Sequence, residues 1–273
     1  MKYRIARLAQ IAAISSTIAV GPAWGAEVAP YRAVYSLTLA STKPSSGIVG
    51  ASGAIFDEWG ETCDGRTEQE RSHLRLEYVD EDSVDDVTTS LVDWESKDGL
   101  QFRFNQRRMR NGKLDEETKG EAKLDGPGKG GMAEFTKPEA ATLTLAPGVL
   151  FPMAHTLLLI ERAQAGEQFV AAQVFDGGAV ENASPITAAI GPRLERGAGA
   201  GNGKAPDDPL LDRPSWRMRL AYFLPDPDAE EPDYEESIRL LDNGIIEEML
   251  LDYGDYVIRA KLDEIVSLPR PAC

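Results

Sequence analysis

One stretch, residues 151–167 (FPMAHTLLLIERAQAGE), carries a helical pattern, and on both sides of it the chain alternates apolar and polar residues with a period of two. Pro152 suits a first helical position, where its missing N–H costs nothing. Gly166 stands where a left-handed C-cap is expected, and Arg162 faces the negative end of the helix dipole. Met153, Ala154, Leu157, Leu158 and Ile160 cover one broad face, and Leu159 carries the apolar character further round. A helix apolar on most sides is a buried one, so the pattern predicts a helix over residues 152–166 enclosed by sheet. Its apolar run stops at Glu161, well short of the roughly twenty residues that span a bilayer.

Strand character occupies most of the remainder: 31–40, 47–59, 66–79, 84–95, 100–108, 113–124, 132–135 and 142–145 before the helix, then 169–175, 216–222, 234–241, 245–253, 256–260 and 262–268. The glycines of 47–59 signal bulges or close backbone approach. Asn243-Gly244 is read as a type I′ hairpin turn, and residues 191–214, rich in Gly, Pro and Ala, as a flexible loop. Short strands at this spacing form an antiparallel sheet that must curl or close to hide its edges, which makes the fold class mainly β.

The first residues read as an export signal. Lys2, Arg4 and Arg7 precede an apolar run over residues 8–20, and Ala23 and Gly25 have the spacing of a cleavage site after Gly25 or Ala26. Residues 1–25 are thus expected to be a signal peptide and 26–273 a single domain, placing the chain in the periplasm without a transmembrane segment. With 45 acidic against 29 basic residues the net charge is −16, a field that repels nucleic acid. Two cysteines, Cys63 and Cys273, are an even count, which in an exported protein suggests a disulfide.

Nothing in the sequence specifies a reaction. His155 lies on the predicted helix without a companion acid or second histidine, so it reads first as a core histidine bonded to a neighbouring strand and second as a weak ligand-binding candidate. His73 on a strand is weaker. Neither zinc-ligand spacing nor a cofactor motif is present. Gly50-Ala51-Ser52-Gly53-Ala54 misses the serine-hydrolase elbow at Ala54 and continues as strand. Gly203-Lys204-Ala205 lacks the Ser/Thr of a phosphate loop. The acidic runs 80–86 and 226–233 read as solvated loops, with weak calcium binding as the lesser reading. Carboxylate pairs for glycoside hydrolysis are spatial and invisible to sequence.

The export signal, Cys63 with a C-terminal Cys273, the helical FPMAHTLLLIERAQAGE and the closing DNGIIEEMLLDYGDYVIRAKLDEIVSLPRPAC together resemble the EipB family of periplasmic cell-envelope integrity proteins, long classed as a domain of unknown function in α-proteobacteria. The resemblance spans essentially the whole chain after the signal. It implies a long antiparallel sheet wound into a spiral or incomplete barrel around one central helix, closed by the Cys63–Cys273 disulfide, which would fasten the two ends of the wrap. It also implies a part in envelope stress resistance, with possible periplasmic partners that include tetratricopeptide-containing proteins, and it establishes no enzymatic activity. The expectation is a non-enzymatic periplasmic protein that binds an apolar ligand or an envelope protein between sheet and helix; the alternative is an envelope hydrolase acting on cell-wall glycan or peptide.

Overall fold

The computed structural model describes residues 28–79, 83–196, 208–226 and 228–273. The predicted signal peptide and its cleavage point lie outside them, as does Gly203-Lys204-Ala205. Before the helix come β1 (Tyr31–Thr42), β2 (Ile48–Glu61), β3 (Gly65–Tyr78), β4 (Val84–Ser96), β5 (Gln101–Arg110), β6 (Lys113–Leu124), β7 (Gly131–Lys137), β8 (Ala141–Leu145) and β9 (Val149–Leu150). After α1 (Pro152–Gln164) come β10 (Phe169–Val174), β11 (Ser184–Leu194), β12 (Ser215–Tyr222), β13 (Tyr234–Leu241), β14 (Ile246–Asp252) and β15 (Tyr256–Ser267).

All fifteen strands belong to one sheet, in the order β8-β7-β6-β5-β4-β3-β2-β1-β15-β14-β13-β12-β11-β10-β9. Neighbours are antiparallel except β9 and β10. A twisted sheet this wide cannot stay flat. Its two edge strands, β8 and β9, are consecutive in the chain and separated only by residues 146–148, so the sheet comes round almost to meet itself. This is the mainly-β, incomplete-barrel architecture that the resemblance implied. Because hairpins alternate between the two ends of an antiparallel sheet, the turn holding Cys63 lies at one end, and the β1–β2, β5–β6 and β14–β15 turns lie at the other.

The helix is embedded. None of residues 152–160 is exposed; only Glu161, Arg162 and Gln164 reach solvent fully. Gly166 adopts φ +80° just past the last turn, as the sequence predicts. With its N-cap Phe151, α1 contributes to all three apolar clusters of the core. Met153 joins the cluster of β1, β2 and β15 (Tyr35, Leu37, Ile55, Ile258), and Leu159, Ile160 and Ala163 join that of β10–β13 (Val170, Ile190, Trp216, Leu240). Phe151 joins the phenylalanines near the seam, stacking on Phe102 at 5.1 Å between ring centroids, with Phe104, Phe135 and Phe175 in the same cluster. Leu157 and Leu158, expected on the apolar face, are only partly covered.

Several local readings change. The predicted strands 256–260 and 262–268 are one strand, β15, whose pairing to β1 shifts register between Val34 and Tyr35. β11 runs to Leu194, so the loop starts later than residue 191. Gly244 has φ +87°, but Asn243 does not have the positive φ that a type I′ turn demands. That turn type occurs instead at Asn111-Gly112, with φ of +52° and +74°, where β5 meets β6. In β2, a Cβ on Gly53 would stand 1.9 Å from the His73 carbonyl oxygen, the close approach that its glycines signalled.

The disulfide joins Cys63 to Cys273 across a sequence separation of 210. It does not fasten the two ends of the wrap. The first and last strands, β1 and β15, pair with each other in the middle of the sheet, so the bond pins the C-terminal tail across the ends of β1 and β2, while the ends of the wrap are β8 and β9. Leu268 N–H donating to the Pro30 carbonyl at 3.0 Å and Arg270 paired with Glu61 at 3.4 Å trace the same path.

Candidate functional site: the barrel interior

The inner face follows from register. Tyr31, Ala33, Tyr35 and Leu37 of β1 are buried, and their partners on β2 are Trp59, Asp57, Ile55 and Gly53. Side chains opposite one another in a sheet share a face. Trp59 opposes Glu68 and Asp57 opposes Glu70 on β3; Glu68 then opposes Asp93 on β4, and Glu95 lies two residues further along the same face. On the far wall Glu236 of β13 opposes Leu220 and Leu251, both buried. Asp57, Glu68, Glu70, Asp93, Glu95 and Glu236 therefore face inward among apolar side chains.

Each is held differently. Tyr31 donates its hydroxyl to Asp57 Oδ2 at 2.7 Å, and Tyr222 and Tyr234 donate to the two oxygens of Glu236 at 3.0 and 2.9 Å. Glu95 accepts the backbone N–H of Met153 at 2.8 Å and of Ala154 at 2.9 Å, capping a helix whose own N-cap residue, Phe151, has no side chain that can accept. Glu68 and Glu70 accept no hydrogen bond among the described residues. Four buried polar atoms there lack any partner: Asp57 Oδ1, Asp93 Oδ1, Thr118 Oγ1 and His155 Nε2. All belong to the inner face or to the enclosed helix.

Removal from water disfavours the charged forms, so these acids titrate late. Burial raises Asp57 to about 6, against the hydrogen bond from Tyr31. It raises Glu70 to about 7, with the charges of Asp57 and Glu236 adding to it. Asp93 rises to about 8 and Glu95 to about 7, in both cases through burial first. Glu68 and Glu236 are raised for the same cause. Burial lowers His155 to about 4, so its imidazole is neutral at pH 7. The strand partner expected for His155 is missing at Nε2, and no acid hydrogen-bonds to it. His73 sits on the outer face with Nε2 2.7 Å from Asp86 Oδ1.

At the end of the sheet opposite the disulfide, Tyr222, Tyr234, Tyr253 and Tyr256 form a continuous run with ring centroids 5.4, 5.0 and 5.0 Å apart. Asp85, from the first acidic run, belongs to β4 rather than to a loop and pairs with Arg110 at 2.8 Å. Outside, β4 to β8 carry two grooves, of about 630 and 430 Å³, that share Arg103, Glu121 and Glu134 in their lining; Arg103 stacks 4.7 Å from the Trp94 ring, and Val92 and Met132 nearby are exposed. Among the described residues no group of three or more His, Cys, Asp or Glu is placed to hold a metal ion, and no helix is long and apolar enough to cross a membrane.

The interior acids were missed by sequence reasoning, although one signal pointed to them. The alternation Leu74, Leu76, Tyr78 on β3, continued toward the N-terminus, passes through Ser72, Glu70 and Glu68.

Comparison with known proteins places this geometry. The EipB-like family model matches residues 22–269. The cell envelope integrity protein EipB of Brucella abortus (strain 2308) is 32% identical over 256 residues, covering 89% of this chain and 86% of that protein. A crystal structure of a beta-barrel-like protein of a domain of unknown function, also from Brucella abortus, superposes with a TM-score of 0.78 at 28% identity, covering 89% of this chain and 100% of that one.

Proposed function

We propose, from the premise that this chain belongs to the EipB-like family, that it is an exported, non-enzymatic protein that supports cell-envelope integrity by holding a largely apolar ligand inside its sheet. One observation carries the ligand. Leu74 of β3, Met249 of β14 and Leu157 of α1 pack toward the interior, and Leu91 of β4 faces it opposite Glu70, yet all four keep contact with solvent, whereas a filled core covers such side chains. An enclosed, mostly apolar space with a few convergent polar groups is the usual form of a small-molecule site. Export is supported by the disulfide, since such bonds persist in oxidising compartments.

The test is native mass spectrometry of protein taken from the periplasm, coupled to lipid extraction. A reproducible non-covalent mass is expected. Protein that is consistently empty, and that recovers no envelope partner, counts against the reading.

The opposed acid pairs favour a second reading, the envelope hydrolase. Glycosidases place two carboxyls within several ångströms of each other, as cross-strand neighbours are. They also push the two titrations apart so that one carboxyl is charged while the other is not. Here Asp57 and Glu70 titrate close together, at about 6 and about 7. If Glu70→Gln and Asp93→Asn both restore envelope integrity to a deletion strain, the hydrolase reading fails.

A further inference from the structure

We propose that the interior selects an amphiphile bearing an ammonium head, with the head seated between the Asp57–Glu70 and Glu68–Asp93 pairs and the tail along the apolar part of the same face; this rests on the reading of the interior as a ligand chamber. The two pairs are directly opposed acids on adjacent strands, an arrangement that destabilises a sheet when both members are ionised unless something of opposite sign intervenes. No described residue supplies such a group between the pairs. Cations on this face stand at its two ends: Arg66 opposes Glu61 and Glu95, while Arg108 and Arg110 are already paired with Asp115, Glu116 and Asp85.

A second observation is independent of the acids' mutual repulsion. Asp93 is 6% exposed, and its Oδ1 has no hydrogen bond. Leaving such a buried acceptor unpaired is costly, and an occupant with several N–H donors seated beside it would recover that cost. An ammonium supplies three donors and no acceptor. A carboxylate or phosphate head would be repelled by whichever of these acids are ionised.

Beyond the acids the same face turns apolar, with Leu74 and Leu76 on β3 and Leu157 on the helix, so a tail has somewhere to lie. A metal ion is the poorer occupant, because the inner acids are not gathered in threes.

The experiment is isothermal titration calorimetry of the full chain after removal of its signal, at pH 7.5 and moderate salt, with dodecylamine, laurate and dodecyl maltoside each below its micellar concentration. Dodecylamine is expected to bind at least tenfold more tightly than laurate. The double variant Glu68→Gln, Glu70→Gln is expected to abolish that preference while still binding dodecyl maltoside. The outer-face control Glu121→Gln, Glu134→Gln is expected to preserve it, which excludes attraction to the acidic surface at large. Equal binding of laurate and dodecylamine overturns the ammonium proposal and leaves the chamber standing. If none of the three binds, the chamber falls and the proposal with it.

Discussion

Glu95 on β4 caps Met153 on α1: its Oε2 accepts the Met153 N–H at 2.8 Å, and Oε1 takes Ala154 at 2.9 Å. The carboxyl thereby satisfies two of the amides that the helix leaves open at its start, where Pro152 has none to offer, and when ionised it places negative charge at the positive end of the dipole. The contact spans 58 residues of sequence and fixes where the helix enters the barrel. Glu95→Ala removes both acceptors from a buried helix end and is expected to cost about 1–3 kcal/mol. Glu95→Gln keeps one acceptor and should lose less. Circular dichroism melts of the three proteins check the order, at about 2–4 °C per kcal/mol for a chain of this size. An unchanged midpoint in Glu95→Ala would mean that packing alone holds the helix.

The inner acids give stability an unusual slope with pH. Asp57, Glu70, Asp93 and Glu95 hold their protons to about 6, 7, 8 and 7, above ordinary carboxylates, so the folded protein binds more protons than the unfolded chain between roughly pH 4 and pH 8. Stability then falls as pH rises through that window. His155, lowered to about 4, acts in the opposite sense between about 4 and its ordinary 6.5. Above pH 6.5 the acids are unopposed by it. The urea midpoint should therefore drop between pH 6.5 and pH 8.5, and Glu70→Gln with Asp93→Asn should flatten the drop. A midpoint that climbs with pH would contradict this picture of the interior.

What could be read from the sequence follows from where one physical signal dominates. α1 is legible because Pro152, Gly166 and a broad apolar face agree with each other. The wrapped sheet is legible because strands such as β1 and β12 alternate cleanly, buried against exposed. β3 is where legibility ends. Its inward row begins Arg66, Glu68, Glu70, Ser72 and its outward row Thr67, Gln69, Arg71, His73, so both faces are polar there; the alternation of Leu74, Leu76 and Tyr78 hints at the acids' direction, and pairing with β2 fixes it. The cap from Glu95 to Met153 is equally hidden, since it depends on curvature that carries β4 over the helix start. The disulfide's true task needed the strand order, because nothing in the positions of Cys63 and Cys273 says that β1 and β15 are neighbours.

Asn111 gives the hairpin test that Asn243 does not. It sits at φ +52°, accepts the Asp86 N–H on Oδ1 at 2.8 Å and donates Nδ2 to Asp85 at 3.1 Å. Asn111→Ala forces a Cβ-bearing residue without those bonds into the left-handed region and is expected to cost about 1–2 kcal/mol. Asn111→Gly relieves the backbone part and should lie between the two. Denaturant unfolding of the three proteins reads the order; an alanine variant as stable as the parent would show that β5–β6 pairing needs no help from its turn.

Replacing the expected disulfide clasp with a pinned tail changes what its loss should do. The seam between β8 and β9 has its own closure in the phenylalanine cluster around Phe102 and Phe151, which the bond does not touch. Cys63→Ser should leave the fold and the seam intact while freeing residues 268–273 to fray from the ends of β1 and β2. The loop it opens has a separation of 210, for which chain entropy allows at most about 5 kcal/mol. A lower melting temperature with an unchanged far-ultraviolet spectrum is expected, together with amide exchange that rises at the tail and around Glu61 but not at Phe102. Oxidised and reduced protein melting together would remove any stabilising role. Faster exchange at Phe102 and Phe151 would instead restore the bond as a clasp on the whole wrap.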